Sequence, residues 1–173
     1  LSSWDAWQSL AVAGRTSVVS EASGHAFKAM HNLRTDRSTT ARSVDGADVV
    51  AAEVAERLKG IREAEMPALA SAIAVLEDAE FQDKDTLLPS LKQSVETLIK
   101  LQSETWDAMH KPQAERRAGL ADEYKNHATA LIEILDKVSA RLGAAVKQTD
   151  PFISQMQAIR DAAWQARNAG GDA

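Results

Sequence analysis

An all-α protein, an elongated antiparallel up-and-down four-helix bundle with a fifth C-terminal helical segment, is predicted by three features of this 173-residue chain. Its apolar residues recur at alternating steps of three and four, the spacing that lines one face of a helix. Ala, the best helix former, is the commonest residue. Gly (8), Pro (4) and aromatics (5%) are too scarce for the turns and strand positions of a β-sandwich or barrel.

The first helix is expected over residues 2–43. Val12, Thr16, Val19, Ser23, Ala26, Met30, Leu33, Arg37, Thr40 and Val44 form a heptad seam along it. About 42 residues at about 1.5 Å each span roughly 63 Å, the length of an elongated bundle and not of a compact globule. Asp45-Gly46-Ala47-Asp48 is a turn with carboxylates suited to a helix start. The second helix is expected over 49–80, with Val54, Leu58, Ile61, Glu65, Ala68, Ala72, Val75 and Ala79 inward and a kink or break near Glu65 from Pro67. The third is expected over 85–110. Pro89 lies in its first turn, and Leu88, Leu91, Val95, Leu98, Gln102 and Met109, with Ile99 and Trp106, form its inner face. The fourth is expected over 112–148, where Ala121, Tyr124, Ala128, Leu131, Leu135, Val138, Leu142 and Ala145 keep the period. Asp150-Pro151 reads as an N-cap followed by Pro at the first helical position, opening a fifth segment over 151–168. Acid-to-base pairs four residues apart, Glu53/Arg57, Glu96/Lys100, Asp107/Lys111 and Glu133/Lys137, mark the outer faces.

The residues speak against most chemistries. A net charge of -5 disfavours a nucleic-acid binder, and the absence of Cys removes thiolate sites, disulfides and c-type haem. Glu21/His25 and Glu123/His127 are spaced i, i+4 and not as the Glu-x-x-His of di-iron bundles. No phosphate-binding glycine motif or nucleophile elbow is present. The chain therefore reads as a non-enzyme without metal or cofactor. No apolar run approaches 18 residues, so no membrane span is expected. Trp4 and Trp7, close to the start of the chain, suit a membrane–water interface or a bundle face.

One position stands out. Arg37 falls on the seam between Leu33 and Thr40, and a charge facing a bundle core requires a partner. That partner is either a carboxylate on another helix, such as Glu65, or a small anion, with Arg34 one turn away to share it; the alternative is an Arg that snorkels its charge out to water. Trp106, Gln102 and His110 on the third helix are the expected remaining lining of such a site, or alternatively ordinary residues of the core edge.

Leu33-Arg34-Thr35-Asp36-Arg37-Ser38-Thr39-Thr40 resembles the Leu-x-x-Glu-Arg-Gly-x-Ser/Thr signature in first helices of nitrate/nitrite-type helical sensors, with Asp36 in place of Glu and Ser38 in place of Gly. Ile159-Arg160-Asp161-Ala162-Ala163-Trp164-Gln165-Ala166-Arg167 is similar to a recurring segment of the same receptors. The resemblance implies a periplasmic, ligand-sensing input domain of a bacterial transmembrane receptor, a two-component sensor histidine kinase or a chemoreceptor. It also implies flanking transmembrane helices absent from this chain, and Arg37 as the anion-binding residue. A weak parallel homodimer along the first helix, through Ala11, Gly14 and Val18, is expected with it. A chain that begins with Leu1 fits a piece of a longer protein. The competing expectation from another class is a soluble structural or surface-coating helical protein.

Overall fold

The computed structural model describes the backbone of residues 2–171 and, within that span, all side chains except those of residues 2, 11–13, 148–155, 157 and 168–171. All regular structure among the described residues is helical: α1 (Ser2–Asp45), α2 (Ala52–Asp78), α3 (Lys84–Met109), a single 3-10 turn (Gln113–Glu115) and α4 (Leu120–Gly171). The four long helices pack antiparallel. α1 lies between α2 and α4, and α3 closes the ring against them.

The inward stripes follow the heptad spacing with local shifts. Ala121, Tyr124, Ala128, Leu131, Leu135, Val138 and Leu142 of α4 are all buried, as their spacing predicts. In α2 the buried set moves to Ala55, Leu58, Glu65, Ala68, Leu69, Ala72 and Leu76. In α3 Ser94, Leu101, Thr105 and Ala108 join the expected face, while Ile99 turns outward. Ala22, Ala26 and Ala29 of α1 are buried, and their small side chains let α1 approach its neighbours closely.

Three boundaries differ from expectation for identifiable reasons. α2 passes through Pro67 without a break, because a proline inside a helix removes one hydrogen bond but does not oblige the chain to stop. α3 starts at Lys84, which puts Pro89 in its second turn instead of its first. The fourth helix begins at Leu120, eight residues later than its pattern suggested, because Gly119 adopts φ +77°, a left-handed conformation that ends the preceding loop and starts the helix. A Cβ at Gly119 would meet nothing within 4 Å, so the restriction is conformational alone. Gly119→Ala is expected to destabilise by about 1–2 kcal/mol in denaturant melts, the cost of forcing an L-residue into that region.

The fifth, C-terminal segment is helical as expected, and it follows the fourth helix within one helical span that includes Asp150-Pro151. The side chains of these two residues, and of Phe152, are outside the described set.

The connections are held by polar contacts. Lys84 Nζ donates to the carbonyls of Glu77 (2.8 Å) and Ala79 (2.7 Å), which places a cation at the C-terminus of α2. Arg116 does more at the opposite end. Its guanidinium donates to the carbonyls of Ala108 (2.9 Å), Val44 (2.8 Å), Gly46 (2.7 Å) and Asp48 (2.9 Å), tying the α1–α2 turn to the end of α3. None of the four expected i, i+4 pairs closes among the described residues. Surface ion pairs form instead between elements, as in Lys92–Glu77 (2.6 Å) and Arg141–Asp83 (3.0 Å), or across a loop, as in Arg117–Glu104 (2.7 Å).

Beyond Ala22 toward the N-terminus and beyond Leu142 toward the C-terminus no described side chain is fully buried. α1 and α4 continue there as a pair of helices side by side, joined by an ion pair between Asp5 and Arg160. Trp4, Trp7, Leu10, Ile159 and Trp164 are exposed on this pair.

Candidate functional site: a buried polar centre joining all four helices

The middle of the bundle contains a cluster of polar side chains with one or more from each helix. Asp36 of α1 and Glu65 of α2 are fully buried, as is Tyr124 of α4, and Gln102 of α3 is nearly so. Arg62 of α2 reaches in from the edge with its side chain 12% exposed.

Asp36 is the hub. Its Oδ1 accepts from Thr40 Oγ1 (2.7 Å), Tyr124 Oη (2.8 Å) and Arg62 Nη2 (3.3 Å). Its Oδ2 accepts from Gln102 Nε2 (3.2 Å) and Arg62 Nε (3.3 Å). The guanidinium therefore faces the carboxylate as a fork. Arg62 also donates to Thr40 Oγ1 at 3.0 Å and lies 5.7 Å from the centre of the Tyr124 ring. Burial opposes the charge on Arg62, but Tyr124 and Asp36 outweigh it and hold its proton more firmly than usual. Burial, reinforced by Asp36, pushes the Tyr124 phenol well above its ordinary range, so it stays a donor.

Glu65 is the unusual member. Gln102 Nε2 donates to its Oε2 at 2.7 Å, which makes that amide group the bridge between two buried carboxyls. Its other oxygen, Oε1, receives no hydrogen bond. Burial and the neighbouring Asp36 together push the Glu65 carboxyl up to about 9.

The sequence-predicted residues take several places. Gln102 belongs to this centre. Arg37 does not point into the core: it is half-buried, and its Nη1 donates to Thr129 Oγ1 of α4 at 3.0 Å. Neither Glu65 nor any other described carboxylate pairs with it. The inward position on this turn belongs to Asp36. Leu33 to Asp36 to Thr40 steps three then four, and Leu33 to Arg37 to Thr40 steps four then three, so both satisfy the heptad rule. Desolvation and partners decide between them, because Asp36 meets Arg62, Tyr124 and Gln102 inside, while Arg37 keeps part of its guanidinium in water. Arg34 is exposed. Trp106 is half-buried against the core edge, and the exposed His110 lies beside it with ring centres 4.8 Å apart and Nδ1 donating to the Trp106 carbonyl at 2.6 Å.

Arg62, Asp36 and Tyr124 were not singled out as a set by the sequence. The available signal was Glu65 on an otherwise apolar stripe, with Arg62 one turn before it and Tyr124 on the cleanest seam in the chain. Among the described residues no group of three or more His, Cys, Asp or Glu is arranged to hold a metal ion. No described helix is long and apolar enough to cross a membrane. Compared with family models, with curated proteins and with solved structures, the chain finds no match.

Proposed function

We propose that this bundle is the extracytoplasmic, ligand-sensing input domain of a membrane-bound signalling receptor, most simply a sensor histidine kinase, that passes ligand binding on by movement of α1 and α4. The observation that carries this reading is the helix pair at one end of the molecule. α1 and α4 enter from the same end, joined there by Asp5 and Arg160, and both run without interruption into the polar centre. Two continuous helices that leave a packed core side by side are suited to join two membrane-crossing helices, because an α-helix transmits displacement along its axis with little bending. Trp4, Trp7 and Trp164 are exposed on that pair, a placement suited to the membrane–water boundary.

The ligand in this reading is a small anion received by Arg37. That guanidinium has one hydrogen bond, to a neutral hydroxyl, and no carboxylate partner, so it retains N–H groups for an oxyanion. Arg34 on the preceding turn adds positive charge. A homodimer along α1 belongs to the same reading. Gly14 is exposed with no atom within 4 Å of a Cβ placed there, which leaves room for a second helix, whereas Val18 is half-buried on its own bundle and the Ala11 side chain is outside the described set.

These 173 residues contain no Cys, so a single one introduced here reports on the bundle when read against the unsubstituted intact protein. In the intact protein, Ser90→Cys on the exposed face of α3 is expected to react with a membrane-impermeant maleimide in whole cells whose outer membrane has been permeabilised. Labelling only after lysis would place the bundle in the cytoplasm and overturn the reading, as would recovery of the intact protein free of membranes. A thermal-shift screen of small anions and organic acids addresses the ligand, since occupancy at about 100 times the dissociation constant adds about 2.7 kcal/mol. Arg37→Ala is expected to abolish the response while costing the empty fold no more than about 1 kcal/mol, the worth of one half-exposed hydrogen bond.

A further inference from the structure

The polar centre contains two fully buried carboxyls, Asp36 and Glu65, and a single cation, Arg62. The groups that face Glu65 come from every helix: Asp36 from α1, Arg62 from its own α2, the neutral Gln102 from α3 and Tyr124 from α4. With both carboxyls ionised the centre would hold one uncompensated negative charge away from water. Such a charge is expensive in a medium of low polarity, and a buried group avoids it by taking up a proton.

The hydrogen bonds point the same way. Asp36 is supplied with donors at both oxygens, the surroundings of an anion. Glu65 has one donor for two oxygens, and Oε1 has none. As an acceptor, Oε1 is an orphan. As a protonated oxygen it becomes a donor, and the Asp36 carboxylate is its neighbour, joined to the Glu65 carboxyl through the one Gln102 amide nitrogen that contacts both. One proton thus removes both the surplus charge and the shortage of donors.

We infer that the junction of the four helices is a proton-binding site, in which Glu65 holds a proton shared with Asp36, and that loss of this proton under alkaline conditions loosens the contact between α1 and α2, making the packing of the bundle responsive to pH. The inference stands on the bundle's interior and is independent of the receptor reading.

The sign of the effect follows from proton counting. The Glu65 carboxyl has its ordinary value of 4.5 in the unfolded chain and about 9 in the folded one. Between these values the folded protein keeps a proton that the unfolded chain has released. The stabilisation is complete below the lower value, falls as pH rises through the window, and levels off above the upper one. One retained proton changes the folding equilibrium constant about tenfold per pH unit. Between pH 6 and 8 the wild-type constant is therefore expected to fall about 100-fold more than that of Glu65→Gln, whose amide donates to Asp36 at every pH. Every other side chain is the same in both proteins, so the comparison isolates residue 65.

Denaturant melts of the two proteins at pH 6, 7 and 8 provide the test. A carbon-13 titration of Glu carboxyls in the wild type is a second readout that does not depend on the variant folding. The expected results are a wild type that loses stability relative to Glu65→Gln as pH rises from 6 to 8, and one carboxyl resonance that titrates far above the others. Parallel pH profiles, or Glu carboxyls that all titrate in the ordinary acidic range, would overturn the inference. So would a wild type whose stability at fixed pH and ionic strength depends on whether sodium, potassium or ammonium is present, because a bound cation would then be supplying the missing charge.

Discussion

Replacing Arg62 with alanine is expected to destabilise the bundle by about 3–5 kcal/mol, the loss typical when one partner of a buried ion pair is removed. The Asp36 carboxylate is fully buried and takes two of its five hydrogen bonds from this guanidinium. Without Arg62 it would keep Thr40, Tyr124 and Gln102 but no counter-charge. Arg62→Lys is expected to recover only part of the loss. A lysine ammonium restores the charge but not the planar fork that meets both Asp36 oxygens and Thr40 together. Replacing Asp36 and Arg62 together with apolar residues of similar volume is expected to be much milder than either single change, because no charge is then stranded. Urea melts of the single and double variants form a mutant cycle that measures the coupling. A loss below about 1 kcal/mol for Arg62→Ala would show that water reaches Asp36 and that the pair behaves as a surface one.

Arg116→Ala is expected to cost about 2–3 kcal/mol, through a different mechanism. Arg116 makes no ion pair among the described residues, but its guanidinium donates to six backbone carbonyls, those of Ser43, Val44, Gly46 and Asp48 around the α1–α2 turn and of Ala108 and Lys111 at the end of α3. A hydrogen bond from a charged donor is worth about 1.5–3 kcal/mol, and the several made here are not additive because water can replace those at the exposed carbonyls. The loss should be local. Amide exchange at Val50, whose N–H bonds the Met109 carbonyl at 2.9 Å, and at Lys111 is expected to accelerate, while exchange at Leu98 and Leu131 should follow only the global stability. Arg116→Lys should rescue little, since one ammonium cannot reach carbonyls spread around the edge of the guanidinium. Unchanged exchange at Val50 in Arg116→Ala would show that the turn is held by its backbone alone.

The periodicity of the chain, its alanine content and its lack of strand signals were sufficient to determine four long helices, their antiparallel order and most of the leucines inside. These are properties of local spacing, and local spacing is written directly in the order of residues. Gln102 was legible as a candidate for the same reason, as a polar residue in step with Leu98 and Met109. The tertiary structure alone decided which of Asp36 and Arg37 turns inward. A heptad accepts either one between Leu33 and Thr40, and the choice rests on residues 26, 66 and 88 positions further along the chain, Arg62, Gln102 and Tyr124. It also decided that Gly119 would delimit a helix instead of lying within one, since a φ of +77° is set by where the loop must arrive. The proton that Glu65 holds belongs to the same class of property. A carboxyl in a sequence has an ordinary affinity for protons, and only four helices brought together remove the water that keeps it so.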